Sequence, residues 1–277
     1  MLGAGVETRI ILRNSLTNEK IKTPKKFLSP NKPHVFLFEN LSPDCCYSIS
    51  VSGPTVHPKP PASLGKFFTI AEDPASLKFA VVCGDRPANE PTLIIPNLDG
   101  STASPQISTE VNLWDWLGRD LDRSFSQTRP NILLHLGNQV DVRNVYDSAR
   151  LLIDRFRKCN PPPLPLPSHV RDDIKELFRV AYRFAWNKIP NVKHVLANVS
   201  NIMVCGITDV VGTLVRHSQL EFDPEIAALG LQVAREYQQK LWDVNVELRL
   251  DDELNDLADL TSTRKDHFIE PMGHFHR

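Results

Sequence analysis

The stretch Asn131–Asp141, NILLHLGNQVD, limits the folds open to this chain more than any other. Ile132, Leu133, Leu134 and Leu136 make a short continuous apolar run, and a strand that is apolar on both sides needs cover on both faces. Such a strand belongs inside a parallel sheet flanked by other layers. Gly137 then opens a loop at its carboxyl end, the edge where open α/β sheets gather their ligands.

Neighbouring segments follow the same grammar. Leu77–Val82 is a second apolar run, ending at Cys83-Gly84-Asp85, and a helix-compatible stretch around Val111–Leu121 separates it from Ile132–Leu136. That order predicts a strand–helix–strand unit of a parallel sheet. Tyr146–Arg157 predicts a helix with Leu152, Ile153 and Phe156 at its apolar positions, stopping before Pro161. In Asp172–Trp186, the residues Ile174, Leu177, Phe178, Ala181, Phe184 and Ala185 fall on one helical stripe, with Asp172 as N-cap. Ile202–Ile207, IMVCGI, predicts a third buried strand. Asp223 followed by Pro224 is an N-cap with proline at the first helical position. It launches a helix expected to run through about Val244, with Ile226, Leu229, Val233, Tyr237 and Leu241 on one face. Residues 247–270 are acidic and mostly polar.

The opening seventy or so residues read differently. Thr8–Leu12, Val35–Phe38, Tyr47–Val51 and Lys66–Ile70 are short candidate strands broken by Pro24, Pro30, Pro33, Pro43, Pro54 and the Pro58–Pro61 cluster. Several short strands at regular spacing predict a small β-sandwich of fibronectin type III-like or immunoglobulin-like kind. Alternation in Cys46–Val51 puts Tyr47, Ile49 and Val51 on the inward face. Ala71–Ser76 reads as a linker. The expected organisation is therefore a β-sandwich domain at 1–72 and an α/β domain at 77–277, and 277 residues suffice for both cores.

Composition narrows the function classes. Lys and Arg number 32 against 33 Asp and Glu, a net charge of -1, so no overall positive field points to nucleic acid or to an anionic membrane. Glu7 and Arg9 interrupt any signal-peptide core, and nowhere do about 18 apolar residues run together. The expectation is an intracellular, cytoplasmic protein without a membrane span. Cys45, Cys46, Cys83, Cys159 and Cys205 are scattered without a Cys-x-x-Cys pair, which removes zinc-ribbon and disulfide-framework readings and leaves reduced thiols. No Gly-x-Ser-x-Gly elbow, Walker-type loop or Gly-x-Gly-x-x-Gly is present.

LHLGNQV, Tyr182-Arg183-Phe184-Ala185-Trp186-Asn187 and Val195-Leu196-Ala197-Asn198-Val199 together resemble the PhoD-like branch of the dinuclear metallophosphatases. The resemblance spans nearly the whole chain and implies a β-sandwich ahead of a metallophosphatase α/β sandwich. It also implies where metal ligands would stand. Dinuclear hydrolysis needs cations about 3.5–4 Å apart, held by carboxylates and imidazoles converging from strand-end loops. Asp85 occupies the place of the family's first aspartate; the alternative is a loop aspartate capping a turn. Asn138 occupies the place of the bridging aspartate, where an amide oxygen can serve one metal but lacks the charge to bridge two. A bare Gly-Asn after a strand is more often a turn than a ligand. Where family members carry tyrosine, this chain has Asp141. The family's Asp-Asp-His-Glu cluster falls on Gly206, Ile207, Thr208 and Asp209, of which only Asp209 is acidic, and IMVCGI reads otherwise as a plain core strand.

The closing His274-Phe275-His276-Arg277 resembles a family segment that leads into the second half of the catalytic domain. A partial metallophosphatase sandwich is thus expected, with apolar sheet surface exposed and a tendency to associate. The expected function is that of a PhoD-like homologue with degraded metal-ligand motifs, catalytically inactive or a truncated form, with no cofactor. One alternative is a residual phosphoric monoester or diester hydrolase holding one divalent metal or iron at Asp85, Asn138 and Asp209, with a phosphoester small molecule as substrate. Another is an interaction module in which Pro161–Pro167, PPPLPLP, forms a polyproline II ligand for a protein partner; otherwise that run is a stiff loop. Trp114 and Trp116 are expected to pack in the core with Leu113 and Leu117.

Overall fold

A computed structural model of the chain describes residues 5–30, 32–53, 64–73, 77–83, 113–123, 129–159, 166–189, 191–210 and 223–241. It is a mixed α/β protein, with one antiparallel and one parallel sheet among the described residues.

The antiparallel sheet comprises β1 (Val6–Asn14), β2 (Lys20–Lys22), β3 (Lys26–Leu28), β4 (Cys46–Ser52) and β5 (Gly65–Phe68), in the order β2-β1-β4-β5 with β3 also paired to β1. Alternation sorts its residues between two faces. Leu12 and Tyr47 are buried on the inward face, and Tyr47 stacks on Phe67 with ring centroids 5.6 Å apart. The turn from β1 to β2 is fixed by Asn14, whose Oδ1 accepts from Leu16 N at 2.8 Å and Thr17 N at 3.3 Å, and by Asn18 at φ 60°. Val35–Phe38 is not a strand, contrary to expectation: it has no ladder partner among the described residues, and the Val35 carbonyl accepts from Lys26 Nζ instead. β2 and β3 carry no strand signal in sequence, because three residues flanked by lysines are too short and polar to show one.

The parallel sheet has the order β6 (Phe79–Val82), β7 (Ile132–Leu136) and β8 (Ser200–Val204). Five α-helices accompany it among the described residues: α1 (Leu113–Arg123), α2 (Arg143–Cys159), α3 (Ser168–Asn187), α4 (Val192–Asn198) and α5 (Pro224–Tyr237). One sheet face, bearing Ala80, Val82 and Leu133, packs on Trp114 and Leu121 of α1 and on Val192 and Val195 of α4. On the other face Phe79, Val81, Leu136 and Val204 are exposed. A second core joins α2, α3 and α5 through Ile153, Ile174, Phe178, Tyr182, Ile226 and Val233, and Trp186 and Ile189 touch both clusters.

Several element boundaries differ from expectation for identifiable reasons. α3 begins at Ser168 after Pro167, so Asp172 lies inside the helix rather than capping it, and pairs with Lys175 at 2.7 Å. α5 stops at Tyr237 and gives way to a 3-10 turn at Gln239–Leu241, because Gln238 is buried with its Nε2 donating to the Tyr182 hydroxyl at 3.0 Å. β8 ends at Val204, so IMVCGI is only half strand. Gly206 N leaves the ladder for the Asp209 carboxylate at 2.8 Å, and Ile207–Asp209 is a 3-10 turn. In α1 Trp114 is buried, whereas Trp116 and Leu113 face outward with 61 % and 82 % exposure, correcting their placement in the core. No helix among the described residues is long and apolar enough to cross a membrane. None of the five cysteines is in a disulfide.

Candidate functional site

The carboxyl ends of β7 and β8 meet. Gly137 at φ 89° and Asn138 at φ 60° turn the chain sharply out of β7, and Asn tolerates that left-handed conformation better than most residues. Across from them lies Gly206, where an added Cβ would collide with the Asn138 backbone nitrogen and Oδ1. Glycine at 206 is what lets the two loops touch.

Asp209 closes this junction. Its carboxylate is buried and accepts three backbone N–H groups: Oδ2 takes Asn138 N at 3.0 Å and Gly206 N at 2.8 Å, and Oδ1 takes Val140 N at 2.6 Å. Asn138 returns the contact, its Oδ1 accepting from Thr208 Oγ1 at 3.0 Å and Thr208 N at 3.3 Å. Around this clasp, Gln139 Nε2 donates to the Val204 carbonyl at 3.1 Å, Val142 N donates to the Thr208 carbonyl at 3.1 Å, and the Tyr182 hydroxyl donates to the Asp209 carbonyl at 3.4 Å. Burial pushes the Asp209 carboxyl above the ordinary carboxylate range, while donors from Gly206, Val140, Gln238 and Asn138 hold it back. Burial likewise raises the Tyr182 phenol well above its usual value, helped by the nearby Asp209 charge.

Of the three residues expected from the sequence as metal ligands, the structure brings Asn138 and Asp209 together. Asp85 lies outside the described residues, as do His274, His276 and residues 161–165 of the proline run. The contacts of Asn138 and Asp209 run to each other's loops: the amide oxygen and the carboxylate oxygens all point at N–H or O–H donors. Among the described residues no group of three or more His, Cys, Asp or Glu side chains converges to hold a metal ion. Thr208 serves as the hydroxyl donor that fixes Asn138.

His135 had no part in the sequence-based site. It lies on β7 with 2 % exposure, its ring stacked on Trp114 at 6.2 Å. Its Nε2 sits 3.1 Å from Asn201 Oδ1, while Asn201 Nδ2 donates to the Leu196 and Val199 carbonyls. Since Asn201 offers an oxygen, Nε2 carries the imidazole proton; Nδ1 is buried without a hydrogen-bond partner. Charging the ring would bury an unmatched N–H, and burial accordingly lowers the His135 pKa, partly opposed by Asn201. The sequence offered one clue, a histidine within an apolar strand.

The Leu196-Ala197-Asn198-Val199 segment joins the two sheets. Asn198 Oδ1 accepts from Lys66 N of β5 at 3.0 Å, Arg129 bonds the Asn198 carbonyl, and the Arg129 guanidinium lies 4.7 Å from the centre of the Phe68 ring. A Cβ on Gly65 would run into the Ala197 carbonyl, so glycine permits this close approach.

Comparison of the chain with protein-family models, curated proteins and solved structures finds no match.

Proposed function

We propose that this protein is a PhoD-like metallophosphatase homologue in which the loops that would hold metal have become a structural clasp, and that it acts through binding rather than turnover. The observation that carries this reading is the Asp209 carboxylate, buried and engaged by Asn138 N, Val140 N and Gly206 N. A ligand aspartate needs oxygens aimed at open space where a cation and water can enter. Here both oxygens are aimed at the backbone. Asn138 supplies no charge to replace them, and its own oxygen is held by Thr208.

The residual-hydrolase reading draws on the convergence of Asn138 and Asp209 at two strand ends. It requires Asp209 to release its N–H donors to take a metal, together with Asp85. One pair of measurements separates the two readings. For a clasp, Asp209→Asn lowers the unfolding free energy by about 1–3 kcal/mol, since buried donors lose their acceptor. Hydrolysis of a generic phosphodiester with added manganese, iron or calcium stays at the buffer rate in both proteins. Robust turnover that vanishes in Asp85→Ala, with stoichiometric metal in the purified protein, would establish the hydrolase instead.

A further inference from the structure

The near-zero net charge of the chain conceals a separation of charge. Register places Arg13 between Lys20 of β2 and Ser48 of β4, with Lys66 of β5 next along the same row. The next row of the same outward face holds Lys22, Ile11 and Ser50, and the one after it Arg9 and Ser52. Lys25 lies beside Arg9 and Lys22 at the rim of a concavity of about 350 Å³ that Glu7, Ile11, Ser52 and Gly53 also line. Glu7 pairs with Lys25 at 2.8 Å. No acid among the described residues pairs with Arg9, Arg13, Lys20, Lys22 or Lys66, so five cations share one sheet face uncompensated. The side chains between them are mainly the hydroxyls of Ser48, Ser50 and Ser52, and Ser50 Oγ donates to the Ile11 carbonyl at 3.3 Å.

The complementary charge lies elsewhere in the same chain. Residues 250–260, LDDELNDLADL, carry Asp251, Asp252, Glu253, Asp256 and Asp259 and no lysine or arginine. We propose that this acidic segment docks on the basic outer face of the antiparallel sheet, held by the charges of Arg9, Arg13, Lys20, Lys22 and Lys66. Five carboxylates meet five unpaired cations, with hydroxyl donors between. Among the described residues, the rows between the five cations hold serines and Ile11, and the aromatic ring of Phe68 beyond Lys66 is already covered by Arg129, so an extended acidic peptide fits this face better than a single nucleic-acid strand does.

The connection is long enough. The 3-10 turn at Gln239–Leu241 packs on β8, and β8 starts two residues after Asn198, which accepts from the Lys66 backbone N–H. The last described residue thus lies within about one strand length plus a packing contact, on the order of 25 Å, of the Asn198 that holds β5. Ten further residues reach Asp251, and an extended chain of ten spans about 33 Å. Tethering to the same molecule gives the acidic segment a high effective concentration at this face, so contacts individually weak in water still hold it.

The test uses the full chain. A carbodiimide, which joins lysine amines to carboxylates in contact, is applied to an equal mixture of unlabelled and isotope-labelled protein at about 20 mM and about 500 mM NaCl, and the cross-linked peptides are read by mass spectrometry. The expected result is Lys20, Lys22 or Lys66 joined to a carboxylate among 251–259 within one chain, with at least about fivefold fewer links at high salt. In the variant D251N/D252N/E253Q/D256N/D259N, these links vanish and heparin binding tightens by at least about fivefold as the face is uncovered. Absence of the links in the wild type, links joining only different chains, or binding to heparin or to phosphatidylserine vesicles that is equal in both proteins would overturn the proposal. The last result would assign the face to an external polyanion.

Discussion

A single atom at His135 sets a pH dependence. Its Nδ1 is buried without a partner, and its Nε2–H is committed to Asn201, so the folded protein holds the ring neutral and its pKa below the usual value. The unfolded chain therefore takes up a proton near pH 6.5 that the folded chain refuses, and stability contributed by the neutral ring is lost as pH falls through that region toward the lowered folded value. In urea unfolding, the difference in stability between wild type and His135→Gln should shrink as pH drops from about 7.5 to about 5.5, by at most about 1.4 kcal/mol per pH unit. A difference that does not change with pH would mean the ring protonates freely in the fold. The residue scale is also where sequence was least informative. Asp209 could be identified there as the one acid of its loop. That its oxygens are taken by Asn138 N and Val140 N, as well as by nearby Gly206 N, depends on residues about seventy positions away, which no local pattern records.

At the scale of elements, the local chemistry of helix α5 was readable in advance. Asp223 Oδ1 accepts from Glu225 N at 3.0 Å and Ile226 N at 3.3 Å, with proline at the start of the helix. Removing such a cap costs about 1 kcal/mol, and this side chain also holds a neighbour, its Oδ2 accepting from Arg157 Nη1 at 3.4 Å. Asp223→Ala should therefore lower stability by about 1–2 kcal/mol in denaturant unfolding, and Asp223→Ser should restore most of it. A loss well under that range would show that Pro224 and packing suffice to start the helix. Strand β7 was legible to the residue because its apolar run is bounded by polar Asn131 and by Gly137. The end of α5 was not: its apolar stripe continues to Leu241, yet Gln238 is tied to Tyr182 on another helix. Asp172 misled for a similar reason, since a good capping residue followed by an apolar stripe looks the same whether the helix starts there or a turn earlier.

At the scale of the whole molecule, part of one face of the parallel sheet stays exposed among the described residues, although Ile132 on that face is buried. Phe79, Val81, Leu136 and Val204 present exposed apolar side chains on the face away from α1 and α4. Exposed contiguous apolar surface drives association, so the protein should elute larger than a monomer in size-exclusion chromatography with light scattering at micromolar concentration. Val81→Thr with Leu136→Thr should shift it toward monomer with little loss of stability, because both side chains are already more than half exposed. A monomer at every concentration would show that the face is covered. The sequence by itself determined the mixed α/β class, the strand Ile132–Leu136, the inward face of β4 and the capped start of α5, because each follows from spacing or from contacts within a few residues. Only the tertiary structure decided what Asn138, Gly206, Thr208 and Asp209 do. A carboxylate becomes a ligand or a clasp according to which donors lie within about 3 Å of it, and folding brought backbone N–H groups from two loops to that distance.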